Sequence, residues 1–449
     1  MKNIAIILAS GTGSRTGLDL PKQFYKVAGK TVIEHTLDTF VKSNDIDEII
    51  IISHPDHIVK VQDIIIKNNY KKITKVLAGG ATRRESSYIG INAIKEADAK
   101  VLIHDAVRPF LSNDIIKECI KKLDEYKSVD VAIDSADTLI QVDDNNIIKT
   151  IPQRKYIKRG QTPQAFDLRT IRAAHELANQ DSDVNVTDDC GLVLKYNLCD
   201  TYVVKGDDFN HKITYPIDVA IADKLFQLKS TYYPLQDKTS LEGKVVVVFG
   251  ASKGIGKAIC DLANNYRATV YGFSRKNKVD VRDYESIKKS LEEVKEKEGR
   301  IDYIINTAGI LRMGQLSCRE FEDIYEEISI NYIGCVNVAR LAYDFLKETK
   351  GSLIFFTSSS YTRGRALYSI YSSTKTAIVN LSQSLSEEWE KDGIRVNVIN
   401  PERTATPMRF ENFGKEDEET LLKPEKVAEA TLNTVLSNYT GQVIDVRLK

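Results

Sequence analysis

Cysteine clusters, long apolar runs and an excess of charge of either sign are all absent from this sequence. Its 449 residues include six cysteines, with no Cys-x-x-Cys pair and no cysteine–histidine cluster, so neither a disulfide framework nor a structural zinc site is expected. No apolar run approaches the ~18 residues of a membrane-spanning helix. The 63 basic and 63 acidic side chains balance, which argues against general binding of nucleic acid or membrane surfaces.

The start and the length of the chain give further expectations. The first residues enter an apolar, strand-like segment directly, so we expect no signal peptide and a cytoplasmic protein with reduced thiols. A chain of 449 residues is too long for one ordinary hydrophobic core, which predicts two or three domains.

Two segments each predict a buried strand, a glycine-rich turn and the start of a helix. Residues 244–256 contain four consecutive valines followed by Gly250, Gly254 and Gly256. Residues 4–15 contain an apolar run followed by Gly11 and Gly13. Glycines at such a turn let backbone N–H groups approach a phosphate at a helix N-terminus. The sequence therefore predicts two catalytic domains in tandem.

In the first half, short apolar segments alternate with longer amphipathic ones. This rhythm predicts a three-layer α/β domain over a mostly parallel sheet. A polar stretch at 140–159, with turn-forming residues at 143–146, predicts an arm outside the core. The predicted strands are 4–8, 48–53, 75–77, 100–104, 129–134 and 201–205.

The glycine turn of the first half is followed by Arg15 and by Pro21-Lys22-Gln23, cations spaced to meet a triphosphate. This pattern resembles the nucleotidyltransferases that join CTP to a polyol phosphate, namely methylerythritol phosphate and ribitol phosphate cytidylyltransferases. The resemblance extends over residues 1–228 and continues at 79–86, 104–110, 187–189 and 210–216. It implies CTP binding by Ala9, Ser10, Gly11, Gly13, Gly79, Arg83, Ser86 and Asp105.

The same resemblance implies direct attack of an acceptor phosphate on the α-phosphorus of CTP, without a covalent intermediate. Asp105 then holds Mg²⁺, while the arm carries the acceptor-phosphate residues and crosses to a neighbouring subunit, which implies a homodimer. Family members often have a second metal-binding aspartate where this chain has Phe209, after Asp207 and Asp208, so the other metal ligands stay open. The implied catalytic residues are Arg15, Lys22 and Lys212, and the implied acceptor-phosphate residues are Thr138 and Arg154.

Residues 230–240 show no strong periodicity and contain a proline, which predicts a linker between domains 1–229 and 241–449. The second domain resembles the classical short-chain dehydrogenases/reductases. The resemblance rests on the glycine turn, on 306–309 (Asn-Thr-Ala-Gly) and on Tyr371-x3-Lys375, with Ser358 thirteen residues before the tyrosine. It implies that Tyr371 supplies the proton in a hydride transfer, with a pKa lowered by Lys375 and the cofactor. Ser358 would hydrogen-bond the carbonyl oxygen, and Asn331 would hold Lys375 through a water molecule.

The cofactor is expected to be NADPH. NAD sites usually carry an acid at the end of the second strand, whereas this chain has Ser274-Arg275-Lys276 there, and Lys253 in the glycine turn. The expected cofactor-binding residues are Gly250, Ser252, Lys253, Gly254, Ile255, Ser274, Arg275, Asp280, Asn306, Ala308, Gly309 and Thr406.

Near the predicted carbonyl site of the second domain, one motif departs from the short-chain dehydrogenase pattern, and four arginines have no counterpart in that pattern. The usual Pro-Gly after the sixth strand is Pro401-Glu402 here, and the segment that follows is short. Arginines on nearby loops are either solvated charges or a clamp for a substrate phosphate, namely Arg363, Arg365, Arg403 and Arg409.

The resulting fold prediction is α/β, with two tandem three-layer domains: a Rossmann-like nucleotidyltransferase, then a short-chain dehydrogenase Rossmann domain. The order resembles the bifunctional ribulose 5-phosphate reductase/CDP-ribitol pyrophosphorylases of bacterial capsule synthesis. That resemblance implies reduction of D-ribulose 5-phosphate to D-ribitol 5-phosphate with NADPH, followed by coupling to CTP that gives CDP-ribitol and pyrophosphate. Two alternatives stay open: a methylerythritol phosphate cytidylyltransferase of isoprenoid synthesis with a fused reductase, and a chain in which one domain only senses cofactor or dimerises.

Overall fold

The computed structural model describes residues 1–11, 20–229 and 241–448. The chain divides into two compact units, Met1–Ala222 and Asp223–Lys449. This division falls upstream of the predicted linker 230–240, which lies outside the described residues. None of the helices in the described ranges combines the length and the apolar character needed to cross a membrane.

The first unit is built on a mixed sheet with helices on both faces. Its strands are β1 (Lys2–Ala9), β2 (Lys26–Val27), β3 (Lys30–Thr31), β4 (Glu48–Ser53), β5 (Ile73–Ala78), β6 (Ala99–Asp105), β7 (Ser128–Asp134), β8 (Gln141–Val142), β9 (Ile148–Thr150), β10 (Lys158–Gly160), β11 (Gln164–Asp167) and β12 (Thr201–Lys205). Its helices are α1 (Val32–Lys42), α2 (Ile58–Asn68), α3 (Arg83–Asn92), α4 (Asn113–Lys122), α5 (Leu168–Gln180), α6 (Asp189–Lys195) and the start of α7 (Pro216–Lys229).

The main sheet has the strand order β10-β7-β11-β6-β1-β4-β5, and β12 pairs with β7. Strands β5, β4, β1 and β6 are parallel, and β11 lies between β6 and β7, antiparallel to both. All six predicted strands are present within a residue or two, whereas β10 and β11 were not anticipated.

The central strands β1, β4 and β6 of the first unit are mostly apolar and almost fully buried because both faces of the sheet are covered there, whereas β10 and β12 are partly or fully exposed. Along β1, Ile7 faces the layer that contains α1, α2 and α4, whereas Ile4 and Ile6 face the layer that contains α3, α5 and α6. Complete burial of one such side chain stabilises the fold by roughly 1.5–3 kcal/mol. The three-layer prediction is confirmed for this unit.

The predicted arm leaves this core as an antiparallel hairpin of β8 and β9. Its turn is closed by a hydrogen bond from Asn146 N to Asp143 O (2.9 Å), and Asn146 has a positive φ of 60°, a conformation that asparagine tolerates. Most residues between 137 and 160 are exposed. The hairpin at 143–146 is therefore confirmed.

The second unit contains one sheet of six parallel strands in the order β14-β13-β15-β16-β17-β18. Apolar clusters cover both of its faces, which again makes three layers. The strands are β13 (Val245–Phe249), β14 (Thr269–Phe273), β15 (Tyr303–Asn306), β16 (Ser352–Phe356), β17 (Arg395–Pro401) and β18 (Val443–Val446). The helices are α8 (Gly254–Asn265), α9 (Tyr284–Glu298), α10 (Phe321–Ile328), α11 (Gly334–Thr349), α12 (Ser369–Glu388), α13 (Pro407–Phe413) and α14 (Pro424–Leu436).

The order of these strands reverses at β13, whose neighbours β14 and β15 lie on opposite sides. In open parallel sheets, ligands bind beyond the carboxyl ends of the strands at such a reversal. This places the ligand site of the second unit next to the glycine turn after β13.

Candidate active sites

In the first unit, the turn after β1 meets the segment before α3. Ser10 Oγ lies 2.9 Å from Ser86 Oγ, and a Cβ on Gly79 would lie only 2.5 Å from Ser10 Cβ, so a glycine is required there. The Gln23 side chain donates to the carbonyl oxygens of Ala9 (2.9 Å) and Gly11 (3.1 Å). The structure thus brings the turn after β1 together with the motif 79–86 and with Gln23.

Of the predicted residues on this turn, Gly13 and Arg15 lie outside the described residues. Lys22 belongs to a short helical turn, Lys22–Phe24, that follows them, and its side chain is largely buried.

Asp105, at the end of β6, is surrounded by cations. Its carboxylate contacts Lys212 Nζ at 2.7 Å, Arg83 Nε at 3.7 Å and Arg108 Nε at 3.8 Å. Burial by itself raises the pKa of Asp105, but Lys212 and Arg83 outweigh that effect and hold the pKa well below its usual range. Asp105 is therefore an anion at neutral pH, set among three cations of the kind that bind phosphates.

A second buried carboxylate fixes the position of Arg83. Asp189 Oδ2 accepts hydrogen bonds from Arg83 (2.6 Å) and from Ser87 Oγ (3.0 Å), and Asp189 Oδ1 lies 3.0 Å from His175 Nε2. Burial lowers the pKa of Arg83, but Asp189 and Asp105 reverse this and raise it. In the sequence, Asp189 belongs to the motif 187–189, which by itself implies no role for it; the geometry makes Asp189 a positioning residue for Arg83.

His104 precedes Asp105 but is a core residue. Its Nδ1 lies 2.9 Å from Thr162 Oγ1 and its Nε2 lies 3.2 Å from Arg108 O. Burial lowers its pKa to about 4. It is thus neutral and hydrogen-bonded on both ring nitrogens, which supports the strand end that carries Asp105.

The two aspartates before Phe209, the candidates for a second metal ligand, have contacts of their own. Phe209 is partly exposed, Asp207 Oδ1 accepts from Phe209 N (2.9 Å), and Asp208 is exposed 3.7 Å from Arg159. Across the described part of the chain, no group of three or more histidine, cysteine, aspartate or glutamate residues could hold a metal ion.

The two predicted acceptor-phosphate residues lie together on the arm. Arg154 donates a hydrogen bond to Thr138 Oγ1 (3.0 Å), and both side chains are exposed. A guanidinium beside a hydroxyl, both open to solvent, is a suitable pair of donors for a phosphate.

In the second unit, a cavity of about 670 Å³ lies at the carboxyl ends of the strands. Gly250, at the start of the glycine turn, lines the cavity and has a φ of +82°. A Cβ at this position would lie 2.6 Å from Ala308 N, so only glycine allows the glycine turn to pack against the turn at Ala308. Predicted residues that line the cavity are Gly250, Ser252, Lys253, Gly254, Ile255, Ser274, Arg275, Asp280, Ala308, Gly309, Ser358, Tyr371, Lys375 and Thr406.

Tyr371 and Lys375 lie one turn apart on α12, as their spacing predicts. Tyr371 is hydrogen-bonded to Ser358, and burial raises its pKa to about 12 while Ser358 opposes that rise. Lys375 Nζ donates to Phe356 O (2.9 Å) and lies 5.4 Å from the Tyr371 ring centre. Burial lowers the pKa of Lys375. Among the protein groups, burial dominates the pKa of Tyr371 and raises it; the lowering expected from Lys375 together with the cofactor stays a prediction.

Asn331 and Asn306 stand behind the cavity wall. Asn331 lies in a widened π-helical turn, Ser329–Ile333, between α10 and α11, and such turns are frequent at functional sites. Its Oδ1 accepts from Ile310 N (2.8 Å) and its Nδ2 donates to Ile310 O (2.9 Å). A Cβ on Gly309 would lie 3.3 Å from Asn331 Oδ1 and 3.6 Å from Lys375 Nζ, so both groups flank one glycine. Asn306 Oδ1 accepts from Ala308 N (3.1 Å) and holds the loop.

A buried ion pair next to Tyr371 was missed by sequence analysis. Arg319 donates to Glu327 Oε2 (2.7 Å), and both side chains are almost fully buried. Glu327 also contributes to the raised pKa of Tyr371. In the sequence, Glu327 belongs to a helix rich in acids, which gives no signal of burial.

The charged residues at the rim differ in their contacts. Lys253 Nζ pairs with Glu411 at 3.0 Å, and Asp280 pairs with Arg282. Among the four arginines that were expected on loops, Arg403 and Arg409 line the cavity, and Arg409 does so from helix α13 rather than from a loop. Arg363 and Arg365 are exposed outside the cavity.

Comparison with known proteins matches both halves of the chain. Residues 3–228 match the family model of 2-C-methyl-D-erythritol 4-phosphate cytidylyltransferase, and residues 244–417 match that of short chain dehydrogenase. A bifunctional ribulose 5-phosphate reductase/CDP-ribitol pyrophosphorylase, Bcs1 of Haemophilus influenzae, is 47% identical over 460 residues, covering 100% of this chain and 96% of the relative. A 2-C-methyl-D-erythritol 4-phosphate cytidylyltransferase of Thermobifida fusca is 35% identical and covers 50% of this chain and 92% of its own.

Among solved structures, 4-diphosphocytidyl-2C-methyl-D-erythritol synthase from Anaerococcus prevotii is 35% identical, with a TM-score of 0.46 over 50% of this chain and 98% of that chain. The end-to-end match to a bifunctional relative agrees with two α/β units, one with three cations around Asp105 and one with a cavity of about 670 Å³ beside the glycine turn. The second unit, as a short-chain dehydrogenase, uses a nicotinamide cofactor. The chain therefore belongs to the family of bifunctional ribulose 5-phosphate reductase/CDP-ribitol pyrophosphorylases, enzymes that combine a cytidylyltransferase with a short-chain reductase.

Proposed function

We propose that this enzyme makes CDP-ribitol in two steps. The second unit reduces D-ribulose 5-phosphate to D-ribitol 5-phosphate with NADPH, and the first unit couples that product to CTP with release of pyrophosphate. The observation that carries the proposal is the 47% identity from end to end with a bifunctional relative of that name. We place the reaction in the cytoplasm and its product in capsule or cell-wall polysaccharide synthesis.

In the reductase, the cavity residues would hold NADPH, which when bound would supply the hydride for the ketone carbon. Tyr371 donates its phenolic proton to the ketone oxygen at the same time. Ser358, hydrogen-bonded to Tyr371 in the free protein, turns its hydroxyl and donates a hydrogen bond to that oxygen instead. The raised pKa of Tyr371 keeps the proton in place until the alkoxide develops. Lys375 lies beneath the tyrosine ring, and Asn331 lies across Gly309 from Lys375, where a water molecule can join them and return the proton.

The choice of NADPH over NADH rests on the rim at the end of β14. Ser274 and Arg275 line the cavity there, with Lys276 beside them, and the aspartate that follows, Asp280, is paired with Arg282. A guanidinium at this place suits a 2′-phosphate. We expect Arg275→Ala to lower kcat/KM for NADPH while leaving that for NADH unchanged; equal losses for both cofactors would contradict this assignment.

In the transferase, the substrate phosphate oxygen attacks the α-phosphorus of CTP in line and pyrophosphate leaves. The proposed roles follow from charge: Arg15, Lys22 and Lys212 stabilise the crowded phosphorus and the leaving pyrophosphate. Lys212 lies 2.7 Å from Asp105, so it is already beside the pocket that the nucleotide would enter.

Asp105 is the proposed Mg²⁺ ligand. Mg²⁺ is commonly held by one or two carboxylates together with substrate phosphates, so one ionised carboxylate in a phosphate pocket is an adequate protein contribution. When bound, the ion neutralises phosphate charge and orients the phosphate oxygens. The cations around Asp105 hold it deprotonated, as metal binding requires. We expect Asp105→Asn to raise the Mg²⁺ concentration needed for half-maximal pyrophosphate release.

The arm supports the proposal of a homodimer. It carries the paired Arg154 and Thr138 in the open, together with a row of exposed apolar residues that a partner subunit would cover. The exposed apolar residues are Leu139, Ile140, Val142, Ile147, Ile148, Ile151 and Tyr156.

A single coupled assay tests the two-step proposal. NADPH oxidation is followed with D-ribulose 5-phosphate, with and without CTP and Mg²⁺, while pyrophosphate release is measured in parallel. The proposal expects NADPH oxidation in both samples and pyrophosphate only when ketose phosphate, NADPH, CTP and Mg²⁺ are all present. Absence of ketose phosphate reduction would refute it.

The choice of acceptor substrate in that assay distinguishes the two possible transferase activities, because the first unit is also 35% identical to a 2-C-methyl-D-erythritol 4-phosphate cytidylyltransferase. Pyrophosphate released with methylerythritol phosphate, but not with ribitol 5-phosphate, would move the first unit to isoprenoid synthesis. Binding of NADPH and CTP without any turnover would instead favour the non-catalytic alternative.

A further inference from the structure

Two arginines face the same cavity as the reductase's proton donor. Arg403 follows β17 and Arg409 lies on α13, and both line the cavity together with Ser358 and Tyr371. The proton donor needs only a ketone oxygen, so these two cations are not required by the chemistry at the carbonyl. They are suited to a charged group elsewhere on the same small substrate.

Both arginines are turned towards one internal carboxylate. Glu416 Oε2 accepts from Arg409 Nε (2.6 Å) and Glu416 Oε1 from the Arg409 terminal nitrogen (2.9 Å), a two-pronged contact. Glu416 Oε1 also lies 3.8 Å from a terminal nitrogen of Arg403. The Arg409 guanidinium lies over the Phe413 ring, 3.9 Å from its centre, which fixes the plane of the fork. A fixed fork beside a second cation is the arrangement that binds a tetrahedral oxyanion.

We propose that Arg409 and Arg403 form the subsite for the phosphate group of the sugar that the second unit reduces, and that Glu416 is the carboxylate which this phosphate replaces. The inference rests on the proposed reductase function and specifies how that site distinguishes a phosphorylated ketose from a free one. Glu416 competes with the substrate phosphate for the Arg409 guanidinium. In the free enzyme its carboxylate neutralises and orients that guanidinium, and it moves away when the phosphate binds.

The same fork chemistry could serve a phosphate of the cofactor, because the glycine turn lines the same cavity. The observations favour the sugar, since the end of the cavity at Ser274 and Arg275 already provides for the 2′-phosphate and the glycine turn provides backbone donors for the pyrophosphate. The two sources predict different kinetic effects. Loss of a sugar-phosphate subsite raises KM for the ketose phosphate alone, whereas loss of a cofactor contact raises KM for NADPH.

The test measures steady-state reduction of D-ribulose 5-phosphate and of unphosphorylated D-ribulose by the full chain. Variants are Arg409→Ala, Arg409→Lys and Glu416→Gln, with Arg340→Ala as the matched control, because Arg340 is an exposed arginine on α11 outside the cavity. Arg409→Ala should raise KM for ribulose 5-phosphate on the order of 10- to 100-fold, the loss expected for charge-assisted hydrogen bonds. KM for NADPH and kcat/KM for ribulose should stay as in the wild type and in Arg340→Ala.

The other two variants, Arg409→Lys and Glu416→Gln, still test the subsite if Arg409→Ala folds poorly. Arg409→Lys keeps the charge and loses the fork, so it should show a smaller rise in the same KM. Glu416→Gln removes the competitor's charge, so it should lower KM for ribulose 5-phosphate and strengthen inhibition by inorganic phosphate.

Several results would overturn the inference. An equal loss with phosphorylated and free ketose would mean that Arg409 only holds the loop, and a rise in KM for NADPH would assign the fork to the cofactor. No change in either KM would refute the subsite. If the wild type itself fails to reduce ribulose 5-phosphate, the proposed function fails rather than this assignment.

Discussion

Replacement of Tyr371 by phenylalanine separates the two activities most cleanly. The ring is retained, so its edge-to-face contact with Tyr368 and its position over Lys375 stay in place. Only the hydroxyl and its hydrogen bond with Ser358 are lost. Loss of one such hydrogen bond costs roughly 1 kcal/mol of stability, which lowers the Tm of a unit of this size by about 2–4 °C.

The catalytic effect of Tyr371→Phe should be much larger than its effect on stability. General acid catalysis contributes about 10²- to 10⁴-fold, so the barrier to hydride transfer should rise by roughly 3–5 kcal/mol. NADPH oxidation measures this loss, and fluorescence titration should show unchanged NADPH affinity. Pyrophosphate release from CTP with added ribitol 5-phosphate should stay at the wild-type rate, because that chemistry lies in the other unit.

The exposed Tyr284 supplies the matched control for Tyr371→Phe. Tyr284→Phe removes an equivalent hydroxyl at the start of α9 and should leave both activities unchanged. Reductase activity of Tyr371→Phe within tenfold of the wild type would refute the role of the tyrosine as proton donor. A parallel loss of cytidylyl transfer would refute the independence of the two units.

Three further predictions concern stability and cofactor binding. Burial lowers the pKa of His35 to about 4, below the value of ~6.5 in the unfolded chain. Neutral His35 therefore contributes about 3 kcal/mol to the free energy of unfolding above pH 6.5, and this contribution is lost as the pH falls towards 4. In acid titrations followed by circular dichroism, His35→Gln should lose less stability over this range than the control His57→Gln; an equal loss would contradict the argument. Glu327→Ala should cost about 3–5 kcal/mol, since it leaves the buried Arg319 unpaired, whereas a denaturation midpoint equal to that of the wild type would disprove this pair. Gly250→Ala should abolish NADPH binding in a fluorescence titration, because its Cβ would press on the neighbouring turn, while cytidylyl transfer continues; retained NADPH binding would count against that contact.

Most of the architecture followed from the sequence because parallel strands covered on both faces are apolar throughout. The strand 48–53 is of this kind and has the observed bounds. The partly exposed strand 201–205 also has the observed bounds. β11 was missed because its four residues, Gln164–Asp167, carry no extended apolar run. Its place between β6 and β7 depends on partners that are distant in the sequence, which no local pattern reveals.

The sites were predictable to the extent that motifs carried them. Spacing alone placed Tyr371 and Lys375 on one helix face, but the direction of the tyrosine pKa depended on burial, which spacing does not show. Glu327 and Glu416 look like solvated acids in the sequence. Only the packed structure shows that one is enclosed beside Tyr371 and that the other occupies the fork of Arg409.

The widened turn at Ser329–Ile333 has a consequence for how this enzyme tolerates insertion and deletion. It is in effect one surplus residue within the long helix from 321 to 349. Deletion of one residue there would restore regular bonding and strengthen the helix. It would also rotate the helix before the turn by about 100° relative to the helix after it, and so carry Glu327 away from its place near Tyr371. The most stable form of this helix is thus incompatible with the active site, so selection for heat resistance at this position would select against catalysis.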